Sequence, residues 1–250
     1  MPTNNGIYKE DEMVFHLNDK KFGELSNNLR NLLTALFGTL EEEEVIHAAK
    51  TEGFIKPDFI LECSKGKKYL SMKTGRAETV HQEFIRPFIC FLRDEGISNR
   101  TLRTILIYHY GDGTIDGSGE ARIEYNRLRT LLEPEIARAN EELNANKDFV
   151  WKVMERCLIV GTAEGAIPID GVYFGDYRYG VLATTGQIKK HIYRGNWKWM
   201  KNLHIGPLQL RPHARYYGKD VKSQQRRDKI DLYWANLGSD IDYISSRYDY

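Results

Sequence analysis

The chain has 250 residues, 41% of them hydrophobic, and 36 Lys and Arg stand against 35 Asp and Glu. That length supports one large domain or two small ones, and the composition is that of an ordinary soluble fold. No apolar run reaches the roughly 18 residues that a membrane-spanning helix needs.

Met1 to Asp19 is polar and acidic, unlike a signal peptide, and reads as an irregular lead-in or a short edge strand around Met13-Val14-Phe15. From Lys20 to Phe37, Phe22, Leu25, Leu29, Leu32, Leu33, Leu36 and Phe37 recur with helical spacing. Asn18 or Asp19 would cap that helix and Gly38 would end it. Glu24 lies beside its apolar stripe. Four acids, Glu41 to Glu44, read as a solvated segment, and Val45 to Ala49 as a strand.

Lys56 to Gly75 reads as two strands joined at Lys65-Gly66, since glycine accepts the backbone conformation of a tight turn. Counting outward sets Ser64 opposite Lys67, Ile60 opposite Ser71 and Asp58 opposite Lys73. Phe59, Leu61 and Cys63 share one face, and Asp58, Ile60 and Glu62 the other. Cross-strand partners lie about 5 Å apart, so a carboxylate and an ammonium would meet at the open end of the hairpin. A carboxylate suits Mg²⁺, a hard ion that takes oxygen ligands, and a neighbouring lysine can orient an attacking water. One carboxylate is too few. Glu62 is about 13 Å from Asp58 by strand rise, so the second acid is expected from Glu78 or Glu83.

Thr79-Val80-His81-Gln82 has capping-box spacing, which predicts a helix from there to Glu95 with Pro87 as a kink. Glu83 would then lie in its first turns. Thr104 to Tyr110 predicts a central strand, and Gly111 to Gly119 a flexible loop. Asp112 to Asp116 has only half of a calcium loop, and the glycines lack the Gly-Lys-Ser/Thr ending of a phosphate-binding loop. Ala121 to Asn146 predicts a polar helix interrupted at Pro134, Lys147 to Arg156 a helix, and Cys157 to Val160 a strand. The three cysteines, Cys63, Cys90 and Cys157, form no paired motif and are expected to be reduced core residues of a cytoplasmic protein.

From Ile167 onward, aromatics and glycines become dense and strands are expected. Between Gln187 and Arg227 eleven Lys and Arg face a single acid, Asp220. Phosphate contacts by such residues supply most nucleic-acid affinity, and arginine reads guanine bidentately. Lys189, Lys190, Arg194, Lys198, Arg211, His213 and Arg215 are the candidates. Trp197 and Trp199 read as core, and Trp234, Leu237 and Ile241 as anchors of the C-terminus.

Pro57-Asp58 followed by Ser71-Met72-Lys73 resembles the PD-(D/E)xK motif of restriction-endonuclease-like nucleases. Ser71 stands where that family has Asp or Glu. The variant resembles a type II restriction endonuclease subgroup in which SxK is followed by a Glu from the next helix. The resemblance covers about Glu24 to Tyr110. It implies an α/β fold with a central mixed β-sheet flanked by helices in residues 1–160, and a β-rich recognition region in 161–250 packed on that core, or both within a single domain. It implies Mg²⁺ held by Asp58 and Glu83, Lys73 positioning the attacking water, Ser71 hydrogen-bonding near the ion, His81 near a phosphate and Glu24 as an outer acid. It further implies an endonuclease acting on double-stranded DNA in restriction or phage defence, as a homodimer. A nuclease fold that binds DNA without cutting it is an alternative, because position 71 lacks its acid, and an RNA-directed nuclease is another.

Overall fold

The computed structural model describes residues 5–53, 56–75, 78–119, 122–198, 200–213 and 226–248, with 5–7 described by backbone alone. Its elements fall into two compact units, each assembled from separate stretches of chain. The first comprises Met1–Ala77, Met154–His191 and Asn236–Tyr250, and the second Glu78–Val153 and Ile192–Ala235.

The first unit is an α/β structure. Its mixed sheet has six strands: β1 (Lys20–Lys21), β2 (Val45–Lys50), β3 (Phe59–Cys63), β4 (Gly66–Lys73), β6 (Gly171–Gly175) and β7 (Gly180–Thr184), in that spatial order. All neighbours pair antiparallel except β4 and β6, which are parallel. Helix α1 (Asn5–Leu17) packs on β2, while α2 (Asn27–Phe37) and α9 (Leu237–Arg247) pack on β7. Met13, Leu17, Leu29, Leu33, Ile46, Phe59, Leu61 and Leu70 form the core, each at most 3% exposed. Leu237 and Ile241 are likewise buried, as expected of anchors.

Three expectations for this unit are corrected. The N-terminal stretch is a helix, because Met13 and Leu17, four apart, present one apolar face to the sheet. The predicted helix from Lys20 is shorter. Ser26 caps it by accepting from the Leu29 amide, so Lys20–Lys21 is free to pair with β2 and Phe22–Glu24 forms a 3₁₀ turn. The predicted strand at Cys157 to Val160 is π-helical, continuing the helical run from Lys147.

The second unit holds a four-stranded antiparallel sheet ordered β5 (Glu78–Phe84), β10 (Lys229–Trp234), β9 (Leu208–Pro212) and β8 (His204–Ile205). Its helices are α3 (Ile85–Asp94), α4 (Asn99–Tyr110), α5 (Tyr125–Leu131), α6 (Glu133–Ala145) and most of α7 (Lys147–Met154), and α8 (Thr185–Arg194) enters it at Ile192. The residues from 161 onward thus supply helices as well as strands.

Here the sequence expectations need their largest corrections. Thr79 to Phe84 is a strand and the helix begins at Ile85, which puts Pro87 in the first turn, where its missing amide costs nothing. Thr104 to Tyr110 is helical. Ser98 accepts from the Thr101 amide at one end, Gly111 takes the left-handed conformation at the other, and these caps override the β preference of the run. The break near Pro134 is found at Leu132. The glycine-rich loop closes on Asp112, whose carboxylate accepts from the Thr114 amide and hydroxyl, the Gly119 amide and the Arg227 guanidinium. Cys157 is buried, but Cys90 is exposed on α3 instead of in a core.

Candidate active site

The site is set by the register of the β3–β4 hairpin. Phe59 pairs with Leu70 and Cys63 with Gly66, so the turn residues are Ser64 and Lys65. Gly66 therefore follows the turn instead of lying within it, and its φ of 117° is one that side-chain-bearing residues rarely adopt. One step beyond the Phe59–Leu70 pair, Asp58 lies across from Ser71 and not from Lys73. The register differs from the expected one by an even step, so every residue keeps its face. Phe59 and Leu61 are buried, and Asp58 shares its face with Ser71 and, two residues on, with Lys73.

Three donors converge on a single oxygen of Asp58. Oδ2 accepts from Ser71 Oγ at 2.9 Å, from the Met72 amide at 2.5 Å and from Lys73 Nζ at 3.4 Å. Lys73 Nζ also lies 2.9 Å from Ser71 Oγ and 2.9 Å from the Met72 carbonyl. Ser71 is 3% exposed, while the side chains of Lys73 and Asp58 are 18% and 24% exposed. The charged pair is therefore partly desolvated but open to solvent, as a site that admits a ligand requires.

A second carboxylate of the same unit comes from α1. Glu10 lies three residues before Met13 and seven before Leu17, at the edge of the buried face of the helix. Burial and then the negative charge of Asp58 push the Glu10 carboxyl above its usual range, although Lys50 and Lys73 draw it down. Lys50, the last residue of β2, places Nζ 3.3 Å from Glu10 Oε2 and 2.9 Å from Asp11 Oδ1. Glu10 is the acid that sequence reasoning missed. The Met13–Leu17 spacing was the available signal, and it is short.

The other sequence candidates make contacts of their own. Glu24 is exposed in the 3₁₀ turn and its Oε2 accepts from the Lys21 amide. None of its contacts is with Asp58, Ser71 or Lys73. Glu83 and His81 belong to β5 of the second unit. They are two residues apart, so they share a strand face, with Glu83 Oε1 3.1 Å from His81 Nε2 and both side chains 7% exposed. Among the basic residues, Lys189, Lys190, Arg194 and Lys198 are exposed. Arg211 places Cζ 3.5 Å from the centroid of the Tyr233 ring and donates from Nη2 to Gln209 Oε1 at 2.6 Å. His213 Nδ1 is 3.1 Å from each Asp231 oxygen. Arg215 and Trp199 lie outside the described residues, and Trp197 is buried.

The polar atoms gathered here besides the Met72 amide and the Lys73 ammonium are oxygens: the Asp58 carboxylate, the Ser71 hydroxyl and the Met72 carbonyl, with the Glu10 carboxyl within electrostatic reach of Asp58. Hard divalent cations take that donor set, whereas zinc and copper favour thiolate or imidazole. No protein-family model matches the chain, and no curated protein matches its sequence. Among the described residues, no helix is long and apolar enough to cross a membrane.

Proposed function

We propose that the chain is a Mg²⁺-dependent endonuclease of restriction-endonuclease-like fold that hydrolyses phosphodiester bonds in double-stranded DNA. The observation that carries this reading is the convergence of Ser71, Met72 and Lys73 on Asp58 Oδ2, with Glu10 as a second carboxylate. The hairpin order Asp, Ser-x-Lys is that of the motif the sequence resembles.

Asp58 and Glu10 would hold the ion, and the chemistry that Mg²⁺ supplies when bound is neutralisation of charge on the phosphoryl group under attack. Lys73 Nζ lies beside Asp58, where it would hold a water or the developing negative charge. Ser71 donates to Asp58 and so fixes the carboxylate's orientation, a positioning role that needs no acid at 71. Lys189, Lys190, Arg194 and Lys198, exposed and cationic, are suited to the DNA backbone, and their contribution would fall steeply with salt. A homodimer on a palindromic site, in restriction or phage defence, follows from the resemblance.

The test is digestion of supercoiled plasmid with Mg²⁺ by the wild type, Asp58→Ala and Lys73→Ala. Wild-type nicking that both variants lose supports the proposal, and equal nicking by all three would sink it. Ser71 in place of an acid favours a second reading, a nuclease fold that only binds. Salt-dependent DNA binding with no cleavage by the wild type would select that reading, and preference for an RNA competitor would redirect the substrate.

A further inference from the structure

We infer that Lys50 is a stand-in cation for the candidate active site: it holds Glu10 in place while no divalent ion is bound, and it moves wholly onto Asp11 when an ion takes Glu10. This rests on the reading of Glu10 and Asp58 as ion-holding carboxylates.

Glu10 and Asp58 repel each other electrostatically, and both side chains are more than three-quarters buried, at 21% and 24% exposure. Two like charges in such a setting need cations between or beside them. Lys73 serves Asp58 at 3.4 Å. Lys50 serves Glu10 from the other side at 3.3 Å. The backbone fixes where Lys50 starts. It pairs with Phe59 across β2 and β3, and the next amide, Thr51, donates to the Asp58 carbonyl at 3.2 Å. The lysine therefore springs from the strand position beside Phe59, the residue that follows Asp58, and its side chain reaches Glu10 and Asp11 on α1.

The division of Lys50 between two acids is what makes it a stand-in instead of a fixed strut. Asp11, 58% exposed, lies 2.9 Å from Nζ, closer than Glu10. An ion that captures Glu10 leaves Lys50 with a partner already in contact, so the exchange strands no buried charge. A lysine whose only partner was Glu10 would have to be desolvated and unpaired, or else would block the ion.

The geometry has consequences that a mere tie between α1 and β2 lacks. Lys50→Gln should lower the midpoint of thermal unfolding by about 2–4 °C in chelator. Saturating Mn²⁺ should recover at least half of that loss. Mn²⁺, titrated calorimetrically into the full chain, should bind about three- to tenfold tighter to Lys50→Gln, because a competing positive charge is gone. Lys50→Arg should behave as wild type. Asp11→Asn, an exposed substitution with little risk to folding, should weaken Mn²⁺ about threefold by binding Lys50 more firmly to Glu10. That weakening should vanish in the Lys50→Gln background.

Equal unfolding losses with and without Mn²⁺, together with unchanged or weaker ion affinity in Lys50→Gln, would show a structural tie and overturn the stand-in role. So would an Asp11→Asn effect that persists without Lys50. A wild-type chain that takes up no Mn²⁺, indistinguishable from Asp58→Asn, would overturn the ion-holding site and the stand-in together. The two failures are thus told apart by the wild-type titration.

Discussion

Glu10, Lys50, Asp58 and Lys73 in the first unit and Asn140 and Asn144 in the second are all partly shielded polar side chains, but they are used in opposite ways. The two asparagines, four apart on α6, face the segment that carries β8. Asn140 donates to the Asn202 carbonyl at 2.9 Å and accepts from the His204 amide at 3.0 Å. Asn144 donates to the His204 carbonyl at 3.1 Å and accepts from the Gly206 amide at 2.7 Å. A neutral amide with both ends paired to backbone costs little to shield and has no proton to give or take. The first-unit cluster instead brings two carboxyl groups and two lysines together, at a desolvation cost that the ion pairs among them offset in part. The second unit uses its polar groups for cohesion, and the first retains groups that can act on something else.

The largest expected effect breaks that contrast directly. Asp58→Asn keeps the shape and an acceptor for Ser71, so its unfolding midpoint should stay within about 2 °C of wild type. Its Mg²⁺-dependent nicking should fall on the order of a thousandfold. Asn144→Ala should do the reverse. It leaves shielded backbone groups unpaired and should cost about 2 kcal/mol in urea unfolding, with nicking per folded molecule unchanged. If Asp58→Asn destabilised as much as Asn144→Ala, the charged cluster would be structural.

Next in size is the response to acid. His109 on α4 is 1% exposed, and its Nε2 donates to the Arg227 carbonyl at 2.9 Å. Burial, with Arg122 adding to it, pulls its pKa down to about 4 against the Arg227 carbonyl and Asp228. The unfolded chain would titrate near 6.5. Because the folded value is the lower one, the unfolded chain binds more protons between pH 6.5 and 4. Stability is complete above pH 6.5 and falls through that window by at most about 3 kcal/mol. Urea unfolding at pH 7 and pH 4 should show the fall, and His109→Gln should flatten it. Burial lowers His191 and His204 too, so some slope will persist. Glu10 has the opposite sign. Its carboxyl is held up, so its protonation in acid relieves repulsion with Asp58. Acid should therefore loosen the second unit first, and hydrogen exchange by unit at pH 4.5 will show whether it does.

A smaller effect separates the two candidate outer acids. Glu10→Gln should lower nicking about ten- to a hundredfold, whereas Glu24→Gln should change it less than about twofold. The reverse ranking would restore Glu24, the outer acid that the resemblance implies.

That ranking shows what was legible. Asp58, Ser71 and Lys73 lie within sixteen residues on one hairpin, so alternation alone put them on a common face, and a register error of even step left that face intact. Glu10 comes from a separate helix, and the packing of α1 on β2, which no local pattern encodes, brings it within electrostatic reach of Asp58. In the second unit, local signals misled. Thr79-Val80-His81-Gln82 carries a helix-start spacing, yet it pairs with Asp231 and Leu232 across β10 as a strand. The β-branched run in α4 was outweighed by its caps. Propensity differences there are tenths of a kcal/mol per residue, while a cap contributes about 1 kcal/mol and fixes the ends.

The smallest effect tests that last point at Gly111. Its φ is 64°, and its amide donates to the Ile107 carbonyl to close α4. An alanine there pays about 1 kcal/mol for the left-handed backbone. A Cβ at 111 would also lie 2.9 Å from Arg122 Cγ. Arg122 Nη1 donates to the His109 carbonyl at 2.7 Å and Nη2 to the Tyr108 carbonyl at 3.3 Å, so displacing it uncaps the last turn. Gly111→Ala should therefore cost about 2 kcal/mol, and Gly111→Asn, which tolerates positive φ but meets the same arginine, about 1 kcal/mol. Urea unfolding separates the two contributions. Equal stability of Gly111→Ala and wild type would mean that something other than its caps makes a helix of the strand-like run from Thr104 to Tyr110.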